Sequence, residues 1–232
     1  MKKICILSGA GMSAESGIKT FRDAGGLWEG HDVMEVASPE GYARNPDLVL
    51  EFYNQRRKQL SEVEPNYAHK ALVQLEDHLN TVIITQNVDD LHERAGSNHI
   101  IHLHGELRKV RSEKNPAHVV SCYNDIVVGD LCPDGGQLRP HIVWFGEAVP
   151  QLENAINEII DADFVMIIGT SMQVYPAASL TAYAPAHAKI FYIDPKPQIN
   201  YELGRQKDRL SLYEGLATQV IDQAIKEVLD MI

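Results

Sequence analysis

Cysteine is scarce: the chain holds three in 232 residues, at Cys5, Cys122 and Cys132. None are spaced C-x-x-C, so together they make neither a disulfide framework nor a four-cysteine zinc site. Cys5 sits in an apolar run and reads as a small core residue. Positive charge is also in short supply. Lys and Arg number 21 against 32 Asp and Glu, a formal net charge of -11. That balance argues against bare nucleic acid or an anionic membrane surface as a partner. No apolar run reaches the roughly 20 residues of a membrane span. The apolar stretch behind Lys2 and Lys3 is too short for a signal peptide, so a cytoplasmic setting is expected. Internal repeats and low-complexity segments are missing. What remains is ordinary globular material, 44% hydrophobic and 23% charged, long enough for one large domain or one domain with an insert.

The first strong pattern lies at Ile4 to Trp28. Ile4-Cys5-Ile6-Leu7 runs into Ser8-Gly9-Ala10-Gly11-Met12-Ser13-Ala14-Glu15-Ser16-Gly17, then Thr20-Phe21-Arg22-Asp23 and Gly25-Gly26-Leu27-Trp28. This predicts a buried strand, a glycine turn and a helix start, where backbone passes close to a ligand and free N–H groups attract phosphate. The spacing departs from G-x-G-x-x-G, because Ala14 takes the third position. A turn that merely joins strand to helix fits the spacing equally well.

Further along, Asn45-Pro46 reads as a cap and first residue of a helix that carries Leu48, Val49, Phe52 and Leu60. Tyr53 and Arg56, three apart, share a face of it. Arg56-Arg57-Lys58 suits a solvated helix C-terminus. A second helix starts at Pro65-Asn66. Strands are expected at Thr81–Thr85, Ile100–Leu103, Phe164–Ile168 and Lys189–Ile193. Helices are expected at Asp90–Ala95, closed by Gly96, at Ala155–Ile160, at Ala177–Ala186, and through the periodic stretch Ala217–Ile232. Alternating strands and helices predict an α/β, Rossmann-like, mostly parallel sheet with helices on both faces. Residues 107–139 change composition and read as a small inserted module.

Parallel strands bring their carboxyl ends to one edge, where open α/β sheets hold ligands. The tips here are Gly9-Ala10-Gly11, Gln86-Asn87-Val88-Asp89, His102-Leu103-His104-Gly105 and Gly169-Thr170-Ser171. An imidazole there can serve as a general base near neutral pH. A satisfied core histidine is the plainer reading of His104 taken alone. His102 and His104 could pair on a metal, but third and fourth ligands beside them are wanting.

Taken in order, these segments resemble the sirtuin family, the NAD-dependent protein-lysine deacylases. The matching stretches are Gly9 to Arg22, Thr85 to Asp89, His102 to Gly105, Trp144-Phe145-Gly146-Glu147 and Gly169-Thr170-Ser171. The resemblance covers nearly the whole chain. It implies that NAD is held by Gly9, Ala10, Gly11, Ser13, Ser16, Phe21, Arg22 and Trp28 around the diphosphate and ribose. Gln86, Asn87, Val88 and Asp89 would hold the nicotinamide end, and Gly169, Thr170, Ser171, Asp194 and Ala217 the adenosine side. His104 would be the general base, with Asn87 beside it in catalysis. Val143, Phe145 and Gly146 would line an acyl-lysine channel, with the substrate peptide added as an extended strand. Tyr53 and Arg56 look like the pair that reads succinyl and malonyl groups in one class of the family. A guanidinium clamps a carboxylate through two hydrogen bonds and a phenol adds another. The implied products are free lysine, nicotinamide and O-acyl-ADP-ribose.

The chain departs from the family in places. Family members commonly hold a structural zinc on four cysteines, but Arg111-Ser112-Glu113 stands where the first is expected. A metal-free module is therefore expected, His118 being the one further candidate beside Cys122 and Cys132. Lys19 replaces a common proline on the cofactor loop, and Asp194 a common asparagine, where a carboxylate can accept from ribose hydroxyls. The expected organisation is a discontinuous NAD-binding domain of residues 1–30, 80–106 and 140–232, a helical insert at 31–79 and the module at 107–139. Two other functions compete: an NAD-cleaving ADP-ribosyltransferase or glycohydrolase, and a non-catalytic NAD or ADP-ribose sensor. His104, Asn87 and Asp89 argue against the sensor, and Tyr53 with Arg56 against pure ADP-ribosyl transfer.

Overall fold

The computed structural model describes residues 1–19 and 27–232, with Leu27 described in its backbone alone. Its strands are β1 (Lys3–Ser8), β2 (Leu27–Trp28), β3 (His31–Asp32), β4 (Asn80–Thr85), β5 (Ile100–His102), β6 (Gly105–Ser112), β7 (Val119–Ser121), β8 (Leu138–Ile142), β9 (Phe164–Ile168), β10 (Lys189–Asp194) and β11 (Leu210–Glu214). Six of these form one parallel sheet in the order β11-β10-β9-β1-β4-β5. Counted along the chain, that is the doubly wound 3-2-1-4-5-6 order, which reverses between β1 and β9. Both neighbours of β1 are in register with it, Ile6 opposite Ile83 on one side and Met166 on the other.

Side-chain alternation along β1 builds a core on each face. Ile4 and Ile6 point to a cluster with Leu72, Met166, Phe191 and Ile221. Cys5 and Leu7 point to the other, with Ile84, Ile159, Ile167 and Leu180. A strand covered on both faces reads as a continuous apolar run, which is why Ile4 to Leu7 is legible. Burial pushes the Cys5 thiol up to about 12, so it packs as a neutral hydrophobe. The helices that cover the sheet include α5 (Tyr67–Val73) and α9 (Ala217–Leu229) on the first face, and α7 (Leu152–Ile159) on the second.

Several expectations are corrected. The Ala177–Ala186 helix is a 3-10 turn over Ala177–Tyr183, stopped before Pro185, which lacks the N–H to continue. The α5 helix ends at Val73 and gives way to a 3-10 turn over Gln74–Asp77. The strand Leu210–Glu214 lies on the sheet edge and is half exposed, so it leaves little apolar pattern to read. The solvated reading of Arg56-Arg57-Lys58 fails at Arg57, which is 1% exposed. It sits near the end of α4 (Pro46–Gln59) and donates to Leu107 O, Asn54 Oδ1 and Asn124 O. It thereby ties the helical segment to the small module.

That module is a three-stranded antiparallel sheet, β7-β6-β8. Gly105 pairs with Ile142, and Glu106 with His141, so the sheet begins at the His104 tip and ends at the Val143–Glu147 loop. Glycine is required at 105 on two counts: its φ is +84, and a Cβ there would meet His141 O at 1.9 Å. The loop after β8 is pinned by Glu147, which accepts from Arg139 at 2.7 Å, Arg111 at 3.2 Å and the Trp144 N–H at 2.8 Å. The Arg139 guanidinium lies 3.4 Å from the Trp144 ring centre. A third apolar cluster, with Phe52, Tyr53, Leu107, Ile142 and Trp144, joins the module to the helical segment.

Candidate functional site

The sheet reverses between β1 and β9, and their tips interlock there. Gly9 N–H donates to Ile168 O at 3.0 Å and Gly11 N–H to Gly169 O at 2.8 Å. A Cβ on Gly11 would meet Gly169 Cα at 2.8 Å, and one on Gly169 would meet Met12 N at 2.3 Å. The glycines are thus required by contact between two protein turns. The N–H groups of Gly9 and Gly11 serve that contact, and that of Gly169 donates to Ile193 O at 3.0 Å, which revises the expectation that these glycines offer them freely to phosphate. Above the interlock lies a cleft of about 760 Å³, within the size range of small-molecule and cofactor sites.

One wall is a buried polar chain. Ser13, 1% exposed, donates to Asp89 Oδ2 at 2.9 Å and accepts from Asn87 Nδ2 at 3.0 Å. A carboxylate only accepts, so the serine proton faces Asp89 and the amide NH₂ of Asn87 faces Ser13. Asn87 Oδ1 is left as its acceptor. Asp89 Oδ1 also takes the Leu91 N–H at 3.1 Å, at the start of α6 (Leu91–Ala95). Burial pushes the Asp89 carboxyl up to about 6, while the Leu91 and Ser13 hydrogen bonds hold it lower.

The histidines divide into two roles. His104 Nδ1 lies 3.0 Å from Gln86 O. A carbonyl only accepts, so Nδ1 carries the proton and Nε2 keeps its lone pair. Burial holds the His104 pKa below its ordinary 6.5, so the ring is neutral at neutral pH. His102 faces Glu93 at 2.5 Å and the Asn87 carbonyl at 3.4 Å. Burial opposes its charge, but the Glu93 carboxylate outweighs burial and raises its pKa. His102 therefore pairs with a carboxylate beside the strand end, and His104 lines the cleft.

Most residues singled out from the sequence meet here. The cleft is lined by Gly9, Ala10, Gly11, Ser13, Trp28, Gln86, Asn87, Val88, Asp89, His104, Gly169, Thr170, Ser171, Asp194 and Ala217, and by Tyr53, Val143, Phe145 and Gly146. Ser16 is not among the lining residues; its Oγ is buried beyond the first helical turn. Phe21 and Arg22 lie outside the described residues. Tyr53 and Arg56 line adjoining spaces. Tyr53 is fully buried, and its hydroxyl accepts from Trp144 Nε1 at 3.0 Å. Arg56 lines an adjoining recess, with its guanidinium 4.9 Å from the Phe52 ring centre. The cleft also takes in Ala37, Val174, Tyr175, Pro195 and Lys196, which sequence reasoning missed. Pro195 and Lys196 directly follow a strand end, the one signal that could have found them.

The donor set suits a dinucleotide. Hydroxyl and amide groups line the middle of the cleft, with Gln86 Nε2 donating to Thr170 Oγ1 at 3.0 Å. Asp194, 2% exposed at the end of β10, accepts the Lys196 N–H at 2.8 Å and stands at the carboxyl edge of the sheet, where open α/β folds hold their ligands. A doubly wound parallel sheet with glycine turns at its reversal point and a polar cleft above them defines a nucleotide-binding α/β protein. The chain belongs to the Sir2 family, whose model matches residues 9–176. It is 66% identical over 196 residues to an NAD-dependent protein deacylase of Helicobacter pylori, covering 84% of this chain and 86% of that one. To the same-named protein of a second strain it is 58% identical, covering 99% of this chain and 100% of that one. A solved Sir2 homologue in complex with NAD superposes with a TM-score of 0.85 at 38% identity, covering 99% of this chain and 90% of that one. A Sir2 structure bound to an acetylated peptide superposes with a TM-score of 0.78 at 27% identity, covering 97% and 92%.

Proposed function

We propose that this chain is an NAD-dependent protein-lysine deacylase that removes succinyl and malonyl groups in preference to acetyl. The observation that carries the reading is the neutral His104, its Nε2 lone pair available, in the same cleft as the Ser13–Asn87–Asp89 chain. The names of the relatives support the deacylase part of the reading, and the neighbour bound to an acetylated peptide supports acyl-lysine as the substrate. When bound, NAD supplies the ribosyl group that parts from nicotinamide and takes over the acyl group from lysine. Asn87 Oδ1 accepts a hydrogen bond at the nicotinamide–ribose end. Asp89, ionised above about pH 6, places negative charge near that end. With NAD bound, His104 Nε2 would accept the proton of a ribose hydroxyl, leaving that oxygen a better nucleophile towards the acyl carbon. Val143, Phe145 and Gly146 form the wall along which acyl-lysine enters, on the loop that Glu147 pins. Thr170, Ser171, Asp194 and Ala217 take the adenosine side. Arg56 receives the acyl carboxylate, with the Tyr53 hydroxyl nearby. We place the reaction in the cytoplasm, in keeping with three unpaired cysteines. No helix of the described residues is long and apolar enough to cross a membrane.

The test is a panel of acetyl-, malonyl- and succinyl-lysine peptides with NAD, read by mass spectrometry. Nicotinamide release should require an acyl-lysine peptide. Release without one would favour a glycohydrolase. Arg56→Met should depress succinyl-peptide turnover more than acetyl-peptide turnover, and an equal loss on both would refute the acyl preference.

A further inference from the structure

Beside the main cleft, α4 and the β2–β3 turn enclose a recess of about 40 Å³, lined by Lys19, Trp28, Glu29, Arg56, Gln59 and Asp89, among others. At 10–15 Å³ for each water-sized centre, it takes about three such groups, the size of a carboxylate. Lys19, Trp28 and Asp89 line the main cleft as well, so the two spaces adjoin. Arg56 Nε and Nη1 are buried without a hydrogen-bond partner among the described residues. Two such donors on a cation call for an anionic acceptor.

The recess already contains two carboxylates, Asp89, held by Ser13 and the Leu91 N–H, and Glu29. The Glu29 side chain is 14% exposed and pairs with Lys19 Nζ at 3.1 Å, while Lys19 itself is 73% exposed. Glu29 sits in the turn between β2 and β3 with a φ of +52, a conformation that a side chain other than glycine rarely adopts. Its negative charge also favours the Arg56 cation, yet its ion pair is made with Lys19. The recess therefore holds two cations and two carboxylates, with Glu29 paired to Lys19 and Asp89 engaged by Ser13 and the Leu91 N–H.

We infer that Glu29 is a specificity-determining residue that limits the attraction of the Arg56 recess for acidic acyl groups, by neutralising Lys19 at its wall. The inference rests on the reading that Arg56 receives the acyl carboxylate. An incoming carboxylate meets Arg56 together with a Lys19–Glu29 pair, rather than two open cations. Removing the Glu29 charge leaves Lys19 free to add its attraction. Removing Lys19 leaves Glu29 to repel the ligand.

The experiment compares kcat and KM for succinyl- and acetyl-lysine peptides of one sequence in the wild type, Glu29→Gln, Lys19→Met and Arg56→Met. Glu29→Gln should raise the succinyl-to-acetyl ratio of kcat/KM about tenfold, the scale of one partly screened charge. The gain should appear as a lower KM for the succinyl peptide and should shrink in high salt. Lys19→Met, at an exposed position, should lower the ratio. An unchanged ratio in both variants, with Arg56→Met collapsing it, overturns the role of Glu29 and leaves the acyl reading standing. An unchanged ratio in Arg56→Met overturns both.

Discussion

Ser13→Ala removes a single hydroxyl and disconnects two groups at once. The hydroxyl donates to Asp89 at 2.9 Å and accepts from Asn87 at 3.0 Å, in a spot 1% exposed. A buried hydrogen bond to a carboxylate contributes about 2 kcal/mol and a neutral one about 1 kcal/mol. Together they amount to about 3 kcal/mol, or roughly a hundredfold in a rate if both bonds are needed at the transition state. The Ser13 bond also lowers the Asp89 pKa, which burial pushes up to about 6. Without it, Asp89 titrates nearer neutrality. If the carboxylate is the working form, activity is lost as pH falls through that pKa, and in Ser13→Ala the loss begins at a higher pH. The assay is kcat/KM for peptide-dependent nicotinamide release across the range from about pH 5 to about pH 8. The variant should fall roughly a hundredfold near neutrality, with its acid limb moved upward. A loss of equal size at every pH would refute the coupling of Ser13 to Asp89, and undiminished activity would refute the whole chain of contacts.

Two more outcomes follow from the histidines. His104→Ala should cut kcat by about 10² to 10⁴, the usual range for a general base, with peptide affinity measured separately by calorimetry; wild-type turnover would exclude His104 as the base. The second concerns His69 and His92, packed edge to face with ring centres 4.9 Å apart and fully buried. Burial lowers His69 to about 4 and His92 well below 6.5. Both folded-state values lie below the unfolded one, so their stabilisation is present above about pH 6.5 and is lost as pH falls towards the folded values. For His69 alone this amounts to about 3 kcal/mol between about pH 6.5 and pH 4. Urea unfolding at stepped pH should show the decline, and His69→Leu should flatten it. An unchanged slope in the variant would remove His69 as its source.

The parts of the site that were legible in the sequence are those carried by strand ends. Gly9, Asn87, Asp89, His104, Gly169 and Thr170 all follow apolar runs that a two-sided parallel sheet requires, and the sheet delivers them to one edge. Arg57 was misread because a basic run at a helix end looks solvated until its neighbours are known. Its burial depends on Leu107 and Asn124, fifty and more positions away. The strand Leu210–Glu214 left little pattern because an edge strand buries too little to show one.

By itself, the sequence determined the order of elements and the identity of the groups at the sheet edge, because local periodicity and glycine placement act over a few residues. It also named Tyr53 and Arg56. Tertiary structure decided what each group does to its neighbour. It turned the Ser13 hydroxyl towards Asp89 and Asn87, neutralised His104 by burial, and set Tyr53 against Trp144 and Arg56 against Phe52 beside the cleft. Those outcomes depend on desolvation and on hydrogen-bond partners distant along the chain, and both exist only once the chain has folded.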